Sequence, residues 1–247
     1  ALRDIPEIWE ISYDPKVKIY KGMVHTYNED NPEGLAEKGP FPVRQIVLDD
    51  YLDDFFFDLD YRNLIGAARN AKNGQVVNMN VGRKIADIDL AGMPHLGSGI
   101  TWNYEGNPVL ATPHLKGGQV SVINMKDWST VKIINTKGPG FFMRSHENTP
   151  YAWVDVFFGP NKDLMHIINK RTLEIVKTIR PVPGKTAAHI EFDRDGSHAI
   201  LSNWDRDGAI IIYDAKTLEE VKRLPMNKPS GKYNVWNKIN YAAGTSH

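Results

Sequence analysis

Cysteine is absent from this sequence of 247 residues, which excludes disulfide bonds, thiolate catalysis and a Cys-x-x-Cys-His attachment site for a c-type heme within the chain. Long apolar runs are absent as well, since none approaches the roughly 18 to 20 residues that a membrane-spanning helix needs. An excess of charge of one sign is also lacking, because 30 basic residues balance 30 acidic residues. We therefore expect neither a membrane span nor nucleic acid as a partner.

The sequence instead holds short runs of β-branched residues, broken by glycine, asparagine and aspartate, a pattern that is typical of an all-β protein. Four pairs of these runs form a repeat, in which a polar turn joins two β-segments. The anchor residues of this repeat, Gln75, Gln119, Asp163 and Gly208, are 44, 44 and 45 residues apart. A fixed period of this length is typical of propeller blades.

Further short β-segments precede each of these hairpins: "YRNLIGAARN", "NPVLATPHL", "YAWVDVFFG" and "HAILSNWDR". With them, each repeat holds four antiparallel strands, which is the make-up of a β-propeller blade. The alternative is a β-sandwich, in which this periodicity would be a coincidence. The sequence therefore predicts an all-β fold made of propeller blades.

The repeats place residues 61–247 in about four blades, and residues 1–60 at the end of an earlier blade that carries a polar insertion. Because a blade buries both of its faces only against neighbours, an open arc of blades would expose apolar surface. We therefore expect the chain to be part of a larger propeller, completed by residues outside this sequence or by another chain.

The loops that lead from one blade to the next each carry glycine or proline and then a ring side chain near the start of the inner strand. These rings are His95, His146, His189 and Tyr233, and a further ring, His114, lies where an inner hairpin turns. One such histidine alone is ordinarily a structural residue that caps a strand. Four ionisable rings in equivalent positions favour a shared site near the propeller axis: a bare metal site, a heme site, or an acid–base site over an organic ligand.

The segments around these rings resemble a known family. "GMPHLGSG", "ATPHL", "PGKTAAHIEF" and the tail "KPSGKYNVWNK" are similar to the heme d1-binding propeller of the cytochrome cd1 nitrite reductase family, and most similar to its dihydro-heme d1 dehydrogenase branch. The likeness covers nearly the whole chain and about the C-terminal half of that eight-bladed propeller. It implies heme d1 with its iron as the cofactor, a periplasmic location and a c-type cytochrome as electron-transfer partner.

The resemblance also implies roles for single residues. His95 matches a histidine that ligates the heme iron from the distal face. His189 and Tyr233 match an acid–base pair beside the side chain that is oxidised, while His114 and His146 match two histidines that bind and protonate nitrite in the reductases. Charge complementarity with the heme carboxylates adds Arg144, and Trp204 is assigned to cofactor binding with it.

Three functions follow as alternatives. The first is an oxidoreductase that converts a propionate of dihydro-heme d1 to an acrylate in heme d1 biosynthesis. The second is the d1 domain of a nitrite reductase, in which His114 and His146 would protonate nitrite. The third is a propeller without a cofactor that serves as a scaffold in a larger complex.

Overall fold

The computed structural model describes residues 1–11, 43–90 and 92–232. Its contacts divide the chain into two compact units, Ala1–Ala91 and Gly92–His247. Strands make up nearly all of the regular structure of the described residues, and a single 3₁₀ turn at Leu96–Ser98 accompanies them. The prediction of an all-β chain is therefore confirmed.

The first unit holds a two-stranded sheet and a four-stranded antiparallel sheet. The segments "EIWEI" and "VRQIV" pair antiparallel, and their assignment to the end of an earlier blade stays a prediction. The four-stranded sheet follows the chain order, which is the arrangement of one propeller blade. The strands of this unit are β1 (Glu7–Ile11), β2 (Val43–Val47), β3 (Asp54–Phe57), β4 (Asn63–Ala67), β5 (Asn73–Asn78) and β6 (Arg83–Asp89).

The second unit holds three four-stranded antiparallel sheets, each again made of consecutive strands. The first sheet contains β7 (Ile100–Tyr104), β8 (Asn107–Pro113), β9 (Gln119–Asn124) and β10 (Thr130–Asn135). The second contains β11 (Met143–Ser145), β12 (Tyr151–Asp155), β13 (Met165–Asn169) and β14 (Glu174–Ile179), and the third β15 (Ala187–Phe192), β16 (His198–Asn203), β17 (Gly208–Asp214) and β18 (Glu220–Met226). The inner strands β7, β11 and β15 of successive sheets contact one another, as neighbouring blades do.

The middle sheet of the second unit is buried on both faces. Val154 and Ile168 pack with residues of β7–β10 in one apolar cluster, whereas Trp153 and Ile167 pack with residues of β15–β18 in another. Alternate residues of one strand therefore enter different cores. This explains why "AWVD" and "MHII" are buried throughout instead of alternating between apolar and polar residues.

The hairpin between the third and fourth strand has the same construction in each four-stranded sheet. An asparagine or aspartate side chain accepts a hydrogen bond of 2.8–3.0 Å from the backbone N–H two residues further on, which forms an Asx turn. The turn ends on a residue with positive φ, and the strand pairing shifts by a bulge nearby. The Asx residues are Asn78, Asn124, Asn169 and Asp214, and the positive-φ residues are Gly82, Trp128, Leu173 and Leu218.

Candidate functional site

An apolar cavity of about 350 Å³ lies in the second unit, between the sheets β11–β14 and β15–β18. Four kinds of segment supply its wall: the loop that enters β11, the strand β15, the ends of β12 and β16, and the chain that follows β18. Only a few polar groups reach it, among them the side chains of His189 and Ser202. The residues that line it are Phe141, Phe142, Phe157, Ala188, His189, Ser202, Trp204, Pro229, Ser230 and Gly231.

Aromatic rings form most of this wall. The rings of Phe141 and Phe142 lie 4.6 Å apart between centroids, and the Phe157 ring lies 5.1 Å from Phe141 and 5.4 Å from Trp204. Phe157 and Trp204 follow β12 and β16, the second strands of two neighbouring sheets. Such a wall of ring faces and edges suits a flat apolar ligand.

His189 forms the polar part of the cavity and has a strained backbone. It lies within β15, where the pairing with β16 shifts between Ala188 and Glu191, and its φ of 49° lies in the left-handed region that costs a non-glycine residue about 1–2 kcal/mol. The Phe142 ring meets the His189 ring edge-on, 4.5 Å away between centroids. Strain of this kind at a cavity is typical of functional sites.

The two ring nitrogens of His189 differ in their hydrogen bonding. Nδ1 accepts a hydrogen bond of 3.0 Å from the backbone N–H of Lys232. The hydrogen of the neutral ring therefore resides on Nε2. His189 thus offers a hydrogen-bond donor in this arrangement, and it takes up a second proton only when Nδ1 releases the N–H of Lys232.

Lys232 hydrogen-bonds to two residues that line the cavity, His189 and Ser202. Its Nζ donates to the backbone oxygen of His189 at 2.5 Å and to Oγ of Ser202 at 2.6 Å. Burial lowers the pKa of Lys232 to about 7, although the negative charge of Glu191 acts in the opposite direction. The amine therefore changes its charge near neutral pH, next to His189.

Asp155 is a buried carboxyl group behind the aromatic wall, with no exposed surface. Its Oδ1 accepts hydrogen bonds from the backbone N–H groups of Phe141 at 2.7 Å and Phe142 at 3.0 Å, and the backbone N–H of His189 also donates to this carboxyl. Burial raises the pKa of Asp155 to about 7, while the three N–H groups lower it. Sequence reasoning missed this residue, because "YAWVD" reads simply as a strand.

His95 lies next to the cavity wall, at the start of the 3₁₀ turn before β7. Its ring is 4.1 Å from the Phe141 ring between centroids, and its Nδ1 hydrogen-bonds to the backbone oxygen of Phe141. A carbonyl partner at Nδ1 places the hydrogen there and leaves the lone pair on Nε2, which is the tautomer of histidines that ligate metals. His95 and His189 therefore have opposite tautomers.

The structure does not bring all predicted residues together. Trp204 lines the cavity, whereas Tyr233 lies outside the described residues. Arg144 is buried, and its Nε lies 3.4 Å from the Glu191 carboxylate while its NH1 donates to the backbone oxygen of Met143. The protein itself thus neutralises the charge that was assigned to a ligand carboxylate.

The prediction that His146 occupies the same position as His189 is wrong. His146 follows β11 in the connection to β12, whereas His189 lies inside β15. The cause is the different length of the inner strands, which the spacing of the sequence motifs does not reveal. His146 accepts a hydrogen bond from the backbone N–H of Asn148 and contacts the backbone oxygen of Arg194, so both ring nitrogens bind the protein.

His114 is likewise enclosed by the protein. It is fully buried, its Nε2 lies 2.9 Å from Oγ of Ser121, and its Nδ1 lies 3.4 Å from the Gln119 amide. Within the described ranges, no group of three or more His, Cys, Asp or Glu residues could hold a metal ion. A metal bound by protein side chains alone therefore has no support from this part of the chain.

The comparison with known families agrees with the geometry of this cavity. The family model described as the cytochrome D1 heme domain matches residues 35–238. The chain belongs to the cytochrome D1 heme domain family. The aromatic cavity thus lies in a domain whose family is named for its heme.

Curated members of this family include a dihydro-heme d1 dehydrogenase of Pseudomonas aeruginosa, which is 51% identical over 100% of this chain and 46% of the relative. A nitrite reductase of Stutzerimonas stutzeri is 26% identical over 77% of this chain and 40% of the relative. The chain thus spans about half the length of these relatives or less. The branch suggested by the sequence motifs is confirmed, since the dehydrogenase is much more similar than the reductase.

Solved structures confirm the fold. A structure of dihydro-heme d1 dehydrogenase NirN in complex with DHE superposes with a TM-score of 0.82 at 50% identity and covers 97% of this chain and 47% of that chain. The β-propeller domain of Swd1 from Myceliophthora, at 14% identity and a TM-score of 0.56, covers 72% of this chain and 56% of that chain and supports the fold alone. The cytochrome D1 heme domain described here is therefore a partial β-propeller. Among its described residues, no helix is long and apolar enough to cross a membrane.

Proposed function

We propose that this chain is the heme d1-binding part of an oxidoreductase that acts on dihydro-heme d1 and converts one of its propionate side chains to an acrylate. The observation that carries the proposal is the aromatic cavity with His189 at its polar side. The 51% identity to a dihydro-heme d1 dehydrogenase supports the same reaction. A periplasmic location and a c-type cytochrome as electron acceptor belong to this proposal.

The residues present fit a heme of the d1 type. The rings of Phe141, Phe142, Phe157 and Trp204 would lie against the apolar body of the macrocycle. His95, whose lone pair is on Nε2, has the tautomer that an iron ligand needs. When bound, the iron and the conjugated ring supply an electron carrier that no side chain of this protein replaces.

Conversion of a propionate to an acrylate breaks two C–H bonds, forms a C=C bond and releases two protons and two electrons. His189 holds its hydrogen at Nε2 and would bind the carboxylate of the substrate with it. Tyr233, placed by the resemblance beside the same side chain, would then take part in removing a proton. The apolar rings around the cavity exclude water, which strengthens both interactions.

Nitrite reduction fits the described residues less well. That function requires His114 and His146 to bind and protonate nitrite, but both ring nitrogens of each histidine contact groups of the protein. Neither residue lines the aromatic cavity. The proposal therefore assigns the chemistry to His189 and Tyr233.

The test is an anaerobic titration of the full-length protein with dihydro-heme d1, followed by visible absorption, and a turnover assay with a c-type cytochrome as acceptor. We expect Phe142→Ala and Trp204→Ala to weaken binding by roughly tenfold each, since stacking on an aromatic ring is worth about 1–3 kcal/mol. His189→Ala should slow turnover by roughly a hundredfold, because the substrate carboxylate loses the hydrogen bond that positions it.

His198→Ala is the matched control, because this histidine lies at the opposite end of β16 from Ser202 and hydrogen-bonds to Asp193. It should leave binding and turnover unchanged. Equal turnover by the His189→Ala and His198→Ala proteins, or unchanged affinity in both cavity-wall variants, would refute the proposal.

A further inference from the structure

The carboxyl group of Asp155 joins two segments of the cavity that are far apart in the sequence. Its Oδ1 accepts the backbone N–H groups of Phe141 and Phe142, from the loop before β11. The backbone N–H of His189, from β15 in the neighbouring sheet, also hydrogen-bonds to this carboxyl group. Phe141 and Phe142 form part of the aromatic wall of the cavity, and His189 supplies its polar ring. A single side chain therefore fixes both parts of the site.

The three N–H groups need this acceptor because the strand pairing does not supply one. The pairing of β15 with β16 is interrupted between Ala188 and Glu191, and Phe141 and Phe142 precede β11. A buried N–H without an acceptor costs about 1–3 kcal/mol. The carboxylate thus stabilises the left-handed backbone of His189, which the interrupted ladder would leave unsupported.

The charged and titratable groups on the strands packed against β12 have partners of their own. Arg144 on β11 pairs with Glu191 of β15. His166 on β13 hydrogen-bonds to Oγ1 of Thr178 and to the backbone N–H of Lys137, and His189 hydrogen-bonds to Lys232. The pKa of Asp155 is therefore set by burial and by the three backbone N–H groups. Within the described ranges, its Oδ2 has no hydrogen-bond partner.

We propose that Asp155 is the positioning residue of this cavity, which holds the Phe141–Phe142 wall and the His189 ring in a fixed relation through their backbone N–H groups. The bearing of this role on heme d1 rests on the proposed function. The role itself concerns contacts within the chain, so it is testable without any ligand. In its ionised form the carboxylate accepts stronger hydrogen bonds than in its neutral form, and the cavity is most tightly organised when Asp155 is charged.

The decisive experiment is an NMR pH titration of the ligand-free chain with ¹⁵N-labelled phenylalanine and histidine, of which the sequence holds 9 and 8. Labelled glycine and alanine carbonyls identify two of the amides, because Gly140–Phe141 and Ala188–His189 are unique Gly-Phe and Ala-His pairs. We expect the amide signals of Phe141 and His189 to shift together, with one common midpoint near neutral pH. The Phe142 amide should follow the same curve.

Two variants complete the test. Asp155→Asn keeps the shape of the acceptor but cannot ionise, so the common step should be lost. Asp163→Asn is the matched control, because Asp163 is a buried aspartate of the same unit that binds the backbone N–H of Gly184 and the side chain of Arg180, and it should leave the step intact.

The inference is overturned if the amides of Phe141 and His189 titrate with different midpoints or not at all, or if their common step survives in Asp155→Asn. The titration of the unaltered chain decides the matter even where a variant folds poorly. Binding of dihydro-heme d1 without the common step would refute the positioning role alone. The common step without binding would refute the proposed function alone.

Discussion

At the scale of single residues, the chemistry of the cavity depends on which ring nitrogen each histidine presents. The Phe141 carbonyl at Nδ1 of His95 leaves a lone pair on Nε2, whereas the Lys232 N–H at Nδ1 of His189 leaves a hydrogen there. One backbone acceptor and one backbone donor thus give two identical side chains opposite tautomers. In the function that we propose, His95 would bind iron through Nε2 and His189 would bind a carboxylate.

The free energy of unfolding depends on pH through Asp155, and the shift in the pKa of this group fixes the sign of the dependence. Its pKa rises from 3.8 in the unfolded chain to about 7 in the folded one, so the folded state favours the neutral carboxyl. The stability that this group contributes is fully present below pH 4 and is lost as the pH rises to about 7. Relative to Asp155→Asn, the unaltered protein should therefore lose of the order of 3 kcal/mol of unfolding free energy across this range.

Urea unfolding of both proteins between pH 4 and pH 8 measures this difference. Groups that titrate elsewhere in the protein cancel, because the two proteins share them. A difference that is constant with pH, or that moves in favour of the unaltered protein as the pH rises, would show that Asp155 is ionised in the folded protein throughout.

At the scale of elements, the connections between strands control where side chains meet. The β15–β16 connection passes directly over the His146 ring, since Gly196 has a φ of 70° and a Cβ atom at this position would overlap that ring. His146 is thus held in the turn region of two neighbouring sheets. Its place there belongs to the packing between blades, apart from the aromatic cavity.

Replacement of Gly196 by alanine should destabilise the protein strongly. A comparable glycine, Gly184, has a φ of 77° but open space where its Cβ would lie, so Gly184→Ala reports backbone strain alone, about 1–2 kcal/mol. Gly196→Ala adds the overlap with His146 and should cost about 1–3 kcal/mol more. Equal unfolding free energies of the two variants in urea would mean that the His146 ring moves aside without cost.

Some features of these strands and connections could be predicted from the sequence alone, and others could not. The strands and hairpins were predictable, because β-branched runs and Asx turns such as those at Asn124 and Asn169 are local signals that recur with a fixed period. The position of His146 was not, because it depends on strand lengths and on the bulge at Ala188. The role of Asp155 was not predictable for a related reason. Its three N–H partners come from two segments that are distant in the sequence, and no sequence motif indicates that they meet.

At the scale of the whole molecule, this chain spans 46% of the length of the related dehydrogenase. Apolar side chains remain exposed on the outer strand of its last described sheet, with Val221 and Met226 about half exposed. Propeller blades complete their cores only against neighbours. A chain of this length by itself should therefore be prone to association.

Sedimentation velocity over a range of concentrations tests this expectation. We expect the isolated chain of 247 residues to form dimers or larger species, because contact between apolar blade faces replaces exposure to water. A longer protein, in which further blades would cover these faces, is the control and should sediment as a single species. A soluble monomer of the isolated chain at all concentrations would contradict the expectation.

The place of Trp204 in the cavity wall gives the protein an optical reporter of its own. Its indole is partly exposed, at 37%, and lies beside Phe157 in contact with the cavity. Hemes absorb where tryptophan emits, so energy transfer would extinguish the fluorescence of an indole that touches one. Comparison of the unaltered protein with Trp204→Phe isolates this emission from that of the other tryptophans, and occupancy of the cavity becomes visible as a loss of light from a single residue.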